Sequence, residues 1–142
     1  MTKKILVVDD EPDMLAVISI RFKRWGYSVV HAASGAEAFK KIKKEKPGLI
    51  LLDLALPDME GDNICLKVKS SPKTSSVPVV VISAVMENLP ERTKNCGADD
   101  CLLKPYEASA LLKKIERFFP LKKAEPLTGD ELKDIKKIAP DY

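Results

Sequence analysis

The sequence predicts an open α/β sheet of five parallel strands, with helices on both faces and a short extra helix at the C-terminus. Three observations predict it. The apolar runs ILVV (5–8), LILL (49–52) and VVVI (79–82) are continuous rather than alternating, as expected of strands buried on both faces. Between the runs, apolar residues recur at helical spacing, giving strand-then-helix units that right-handed crossovers join into one sheet. The polar residues Asp9, Asp10, Asp53, Ser83 and Lys104 all fall at or just beyond the carboxyl ends of strands.

Taken in order, the first run ends on Asp9 and Asp10, and Pro12 is suited to the first turn of the helix that presents Leu15, Ile18, Phe22 and Trp25. YSVV (27–30) is a weaker strand with His31, the only histidine, at its end. Ser34-Gly35-Ala36-Glu37 has capping-box spacing and opens a helix whose core side is Ala38, Phe39 and Ile42. The lysines at 40, 41, 43, 44 and 46 form its solvated side. The third strand meets Asp53 and turns through Pro57 before a helix marked by Ile64, Cys65 and Val68. The fourth strand leads to Ser83 and to a helix over 86–96 that tolerates Pro90 only in its first turn. DCLL (100–103) is the fifth strand, followed by a helix through Leu111, Leu112, Ile115 and Phe118. Gly26, Gly48 and Gly97 each lie between a helix and the next strand, where a left-handed C-cap is expected.

Beyond Phe119, PLKKAEP reads as a linker, so residues 1–120 form one domain and 121–142 a linker with a short amphipathic helix. Thr128-Gly129-Asp130-Glu131 again has capping-box spacing, and Leu127 with Leu132 has that of a hydrophobic staple. The helix shows Leu132, Ile135 and Ile138 on one side and stops before Pro140. Roughly a dozen residues is marginal for an isolated helix in water, so it is expected to dock on the domain or on a partner.

Composition excludes several functions. In 142 residues, 45% are hydrophobic and 32% charged, ordinary for a globular domain. The net charge of +3 is too small and too dispersed to argue for nucleic-acid binding. The N-terminus reaches acids after a short apolar run, so it is neither a signal peptide nor a membrane span, and a cytoplasmic location is expected. Cys65, Cys96 and Cys101 lack metal-like spacing and read as small core hydrophobes.

In a flavodoxin-like doubly wound sheet of order 2-1-3-4-5, ligands bind where the order reverses, between the first and third strands. Those strands carry Asp9, Asp10 and Asp53. Three carboxylates converging there repel one another and call for a counter-charge. An all-oxygen set without neighbouring His or Cys suits a hard cation such as Mg²⁺, which completes its shell with water and phosphate oxygens. Glu11 could reach such an ion through water, or be a solvated acid near a helix N-terminus. Asp58 and Asp62 read as exposed acids.

VVDDEP (7–12), LLDLALPDMEG (51–61), VISA (81–84) and LLKPY (102–106) stand in register with the five units. On these motifs the first 120 or so residues resemble the receiver domains of bacterial two-component response regulators, in a chemotaxis-regulator-like form. The resemblance implies that Asp53 takes a phosphoryl group from a sensor histidine kinase or a phosphotransfer protein. It also implies that Asp9, Asp10, Asp53 and the Ala55 carbonyl hold Mg²⁺, and that Ser83 and Lys104 contact the phosphoryl group. The switched surface would be the fourth helix, fifth strand and fifth helix, meeting a downstream protein, with no direct nucleic-acid binding and no membrane insertion. The family's frequent aromatic three residues before the lysine is Cys101 here, while Tyr106 fits a second aromatic position. The resemblance also favours a cis bond before Pro105.

Three rival readings of the same residues exist. A haloacid-dehalogenase-type phosphatase needs a second acid two residues after the nucleophile, where Ala55 stands. A phosphorylation-independent interaction module would ordinarily have lost some of the five site residues. The third reading is a receiver fragment of a larger regulator whose output domain is missing.

Overall fold

The computed structural model describes residues 4–84, 88–104, 106, 108–119 and 128–138. Strands β1 (Lys4–Val8), β2 (Ser28–Ala32), β3 (Leu49–Asp53), β4 (Val79–Ser83) and β5 (Asp100–Leu103) form one parallel sheet in the order β2-β1-β3-β4-β5. Helices α1 (Pro12–Arg24), α2 (Gly35–Glu45), α3 (Gly61–Ser70), α4 (Leu89–Asn95) and α5 (Ala108–Glu116) alternate with them, and α6 (Gly129–Ile138) follows. The order reverses between β1 and β3, as the sequence predicts. Val8 lies opposite Leu52, so the next residues, Asp9 and Asp53, emerge side by side.

Strand alternation sorts the core into two layers. Leu6, Val8, Ile50, Leu52, Val79 and Val81 pack with Ala38, Ile64, Cys65, Val68 and Leu89 of α2, α3 and α4. Ile5, Val7, Leu49, Leu51, Val80 and Ile82 pack with Ile18, Phe22, Leu111 and Ile115 of α1 and α5. Every residue of β3 and β4 is buried, which is why these strands read as unbroken apolar runs. Tyr27 donates its hydroxyl to the Phe119 carbonyl at 2.8 Å and stacks on the Phe119 ring, tying the start of β2 to the end of the α5 segment.

Most helix boundaries follow their predicted signals. Pro12 opens α1, and Ser34 Oγ accepts from the Glu37 N–H at 3.2 Å to cap α2. The Glu37 carboxylate returns to Ala33 N–H at 2.9 Å, one residue earlier than a capping box requires. Gly26 and Gly97 adopt the expected positive φ. Gly48 does not: the left-handed cap of α2 is Lys46, at φ 48. Pro47 obliges the chain to leave the helix one residue earlier, and Gly48 N–H is already committed to Lys4 O at 2.8 Å at the sheet. Helix α4 starts at Leu89 with Pro90 in its first turn, shorter than the predicted 86–96; Met86 lies outside the described residues. So do the linker at 120–127, Leu127, Pro140 and Pro105, with the predicted cis bond.

The tail helix docks on α1. Thr128 Oγ1 accepts from Glu131 N–H at 3.2 Å and Glu131 Oε1 accepts from Thr128 N–H at 3.0 Å, a complete capping box. Ile135 is 1% exposed, and Glu131 pairs with Arg24 of α1 at 3.4 Å. Ile138 is half-buried, but Leu132 is 39% exposed, so the apolar side meets α1 chiefly through Ile135. Among the described residues no helix is long and apolar enough to cross a membrane.

Candidate functional site

The site is built from the C-terminal edge of the sheet. Asp9 follows β1 and is held there by its own N–H, which donates to Ala32 O of β2 at 3.0 Å. Asp53 ends β3, and the Leu54 N–H beyond it donates to Ile82 O at 3.1 Å. Ser83 ends β4, and its carbonyl accepts from Lys104 N–H at 2.8 Å, fixing the residue that follows β5. Adjacent parallel strands therefore deliver an acid, an acid, a hydroxyl and a lysine to one rim.

Lys104 is the centre of the arrangement. Its Nζ lies 2.9 Å from Asp53 Oδ2, 3.0 Å from Asp9 Oδ2 and 3.5 Å from Glu11 Oε1. Burial opposes the charge on this ammonium, but the hydrogen bonds to Asp53 and Asp9 outweigh it and hold the proton well above the usual lysine range. The second oxygen of each acid is used locally: Asp9 Oδ1 accepts from Glu11 N–H and Asp53 Oδ1 from Ala55 N–H, each at 2.9 Å. Asp9, Asp53 and Ser83 are buried, while Asp10 is exposed.

The acids fit a cation. Asp9, Asp10 and Asp53 each offer one carboxylate oxygen, and these oxygens lie within 4.8 Å of one another. A purely carboxylate donor set of this kind suits a hard divalent ion, with water filling its open positions. As the site stands, the lysine supplies the counter-charge that the sequence called for.

The loop after Asp53 is shaped by contacts that the sequence did not disclose. A Cβ on Gly61 would sit 2.3 Å from Asp53 O and 2.8 Å from Leu54 Cα, so the start of α3 presses on the backbone of the acid. Gly61 N–H also donates to Leu54 O at 2.9 Å, and Ala55 bridges Glu60. Asp58, read from sequence as a plain exposed acid, accepts from Gly35 N–H at 2.8 Å and Ala36 N–H at 3.1 Å and so caps α2. These two bonds hold its carboxyl below the usual aspartate range. Asp62 is likewise engaged, in an ion pair with Arg92 of α4. A groove of about 400 Å³ opens beside the cluster, with Ser83, Ala55, Pro57, Met59 and Arg92 in its walls. His31 is exposed on β2, on the far side of β1 from Asp53.

Fold and site together define a doubly wound α/β domain with an acid and lysine cluster at its topological switch point. The response regulator receiver domain profile matches residues 5–116, and the chain belongs to that family. It is 37% identical over 121 residues to the alkaline phosphatase synthesis transcriptional regulatory protein PhoP of Bacillus subtilis, covering 82% of this chain and 50% of PhoP. It is 28% identical to the DNA-binding response regulator MtrA of Mycolicibacterium smegmatis, over 100% of this chain and 61% of MtrA. The chain spans about half the length of the curated relatives it matches. Among solved structures, chemotaxis protein CheY4 of Vibrio cholerae superimposes with a TM-score of 0.77 at 28% identity, over 84% of this chain and 100% of CheY4. The BeF3-activated N-terminal receiver domain of Klebsiella pneumoniae RstA gives 0.75 at 26% identity, over 82% and 98%. The relatives thus include transcriptional regulators as well as a chemotaxis protein, and the family assignment stands at the level of the receiver domain.

Proposed function

We propose that this chain is a phospho-accepting receiver in which Asp53 is the nucleophile. The observation that carries the reading is the pair of contacts from Lys104 to Asp53 and Asp9, made by residues that arrive from three different strands. Asp53 Oδ attacks phosphorus in line, the P–N bond of a phosphohistidine on a sensor kinase or phosphotransfer protein breaks, and the imidazole keeps the electron pair. Asp9, Asp10, Asp53 and the Ala55 carbonyl would hold Mg²⁺, which when bound neutralises charge on the phosphoryl oxygens. Lys104 moves from bridging two carboxylates to contacting the phosphoryl group, and Ser83 donates its hydroxyl to it. The groove lined by Leu54, Ala55, Ser83 and Arg92 opens beside the residue that follows Asp53. BeF3, carried by the RstA relative, mimics a phosphoryl group in shape and charge, which supports this reading.

The output is a changed protein surface on α4, β5 and α5, next to Ser83 and Lys104. Cys101 replaces the frequent aromatic on that face, so signalling there runs without an aromatic rotamer change. Residues 1–120 act as the receiver and 121–142 as linker and docked helix, in a cytoplasmic protein that works in the manner of a chemotaxis regulator, by protein contact. A fragment of a longer regulator is the second reading, favoured by the half-length coverage of PhoP. The phosphorylation-independent module is the alternative that the test below separates. The test is intact mass after incubation with acetyl phosphate, with and without Mg²⁺, beside Asp53→Asn. One Mg²⁺-dependent phosphoryl adduct, lost in the variant, is expected; no adduct on folded protein would favour the phosphorylation-independent module.

A further inference from the structure

Helix α3 begins on the backbone of Asp53: Gly61 N–H donates to Leu54 O at 2.9 Å, and a Cβ on Gly61 would lie 2.3 Å from Asp53 O. Helix α4 is the element that follows Ser83, and its Arg92 lines the groove together with Ser83 and Ala55. Side chains ordinarily satisfy some of the free amides in a first turn. Among the described residues neither of these helices has such a cap: Glu60 supplies none to α3 and Asn88 none to α4. Asn88 moreover stands at φ 62, left-handed backbone in a residue that is not glycine. A bidentate ion pair joins the two helices. Arg92 Nε donates to Asp62 Oδ2 at 3.1 Å, and Arg92 Nη2 donates to Asp62 Oδ1. Two parallel bonds from a planar guanidinium fix orientation as well as distance. Asp62 follows Gly61 directly, so the pair grips α3 at the turn that bears on Asp53.

We infer that Arg92 is a positioning residue for phosphoryl acceptance: by gripping Asp62 it holds the carboxylate of Asp53 and the hydroxyl of Ser83 at the spacing that the incoming group requires. This role rests on the phosphoacceptor reading of Asp53. Strands β3 and β4 pair with Asp53 opposite Ile82, so Asp53 and Ser83 leave the sheet as neighbours. From there the two segments diverge, one into α3 and the other into α4. The Arg92–Asp62 pair ties them together again beyond the groove.

At 29% and 20% exposure the two side chains are partly shielded from water, which separates the pair from freely solvated ones that contribute little. Helix α4 has only seven residues, and short, weakly capped elements are where local opening concentrates. Losing the pair therefore frees α4, with Ser83 at the head of its segment, to shift against α3 and Asp53. Misplacement near 1 Å at the reacting atoms costs about a hundredfold in rate, so a smaller shift of this kind costs about tenfold.

The test follows acetyl phosphate labelling of the full chain with Mg²⁺ by intact mass, as a function of donor concentration. In that reaction Asp53 Oδ bonds to phosphorus, the bond from phosphorus to the acetyl oxygen breaks, and acetate leaves with the electron pair. Arg92→Met and Asp62→Asn are each expected to lower the saturating rate about tenfold, while the half-saturating donor concentration keeps its wild-type value. Because the two residues act as one unit, the double variant should be no slower than the slower single one. Arg92→Lys should fall between Arg92→Met and wild type, since an ammonium keeps the charge but not the two-pronged geometry. A merely structural pair would lower the thermal midpoint and leave the labelling rate of the folded protein unchanged, and that result would overturn the assignment. So would a normal rate in Asp62→Asn beside a slow Arg92→Met, or a change confined to the half-saturating concentration. If Arg92→Met does not fold, Asp62→Asn, which keeps the side-chain shape, still decides. A wild-type chain that takes no label overturns the phosphoacceptor reading itself, and the role of Arg92 falls with it.

Discussion

Lys104 Nζ holds Asp53 Oδ2 at 2.9 Å while the same ammonium holds Asp9 at 3.0 Å, so one cation balances two carboxylates that the sheet forces together. The side chains are 12%, 8% and 4% exposed respectively, which places all three charges largely out of water. In such a cluster the loss of one partner leaves the others uncompensated, and this asymmetry governs how substitutions act here.

Lys104→Met tests it directly. Removing the ammonium leaves Asp9 and Asp53 facing each other without counter-charge, and breaking a buried pair in this way costs about 3–5 kcal/mol. Urea unfolding at neutral pH should show that loss. Added Mg²⁺ should recover a part of it. An unchanged midpoint would mean that the lysine contributes no net stabilisation in solution.

The alkaline limb of the stability curve should be steep. Lys104 is raised in the folded state, so its contribution is complete below the unfolded lysine value of about 10.4 and is lost as pH climbs from there through the folded value. Tyr27 acts in the same direction: burial, with Glu116 adding to it, keeps its phenol neutral in the native state while the unfolded chain ionises near pH 10. On the acid side, burial pushes Asp100 up, but hydrogen bonds from Lys114 and the Cys101 N–H outweigh it and leave the carboxyl lowered. Its contribution is present above about pH 3.9 and disappears as pH falls through the lowered value. Thermal unfolding across pH should therefore show a plateau at neutral pH and a decline beginning near pH 10. Lys104→Met and Tyr27→Phe should each flatten that decline.

Gly61→Ala probes the close approach behind Asp53. The added methyl would meet backbone atoms of Asp53 and Leu54, which cannot swing aside as a flexible side chain can. Overpacking of this kind costs about 1–3 kcal/mol. Because the clash bears on the carbonyl of the acid itself, the rate of acetyl phosphate labelling should fall further than stability does, by about a hundredfold for a displacement near 1 Å. A variant with lowered stability and an unaltered labelling rate would show that the loop moves without carrying the carboxylate.

The sheet order and the acid cluster were legible because both are written locally. Continuous apolar runs mark strands covered on both sides, and a charged residue at the end of such a run has nowhere to point except the rim. What escaped was set by contacts distant in sequence. Asp58 caps a helix 22 to 23 residues earlier, and nothing near it in the chain shows that partner. Lys46 takes the left-handed cap that Gly48 would adopt more easily, because Gly48 is bound to Lys4 at the sheet and Pro47 intervenes. Cys65 and Cys96 read correctly as core residues. The predicted one-sided face of α6 holds at Ile135 and fails at Leu132, since α1 is a cylinder and covers only a narrow line of its neighbour.

That narrow line makes the tail helix separable from the domain. Helix α6 has ten residues, too few to persist alone in water, so its order depends on docking. Ile135 is its one fully buried side chain, and truncating a buried isoleucine to alanine costs about 2–5 kcal/mol. The pair between Glu131 and Arg24 is solvent-accessible, and Glu131→Gln is expected to change little. Ile135→Ala should therefore release α6: amides from Leu132 to Ile138 exchange at once, while those of β1, β3 and β4 keep their wild-type protection. Loss of protection throughout the sheet would instead show that α6 and the domain unfold as a single unit, with α1 depending on the tail for its own place on the sheet.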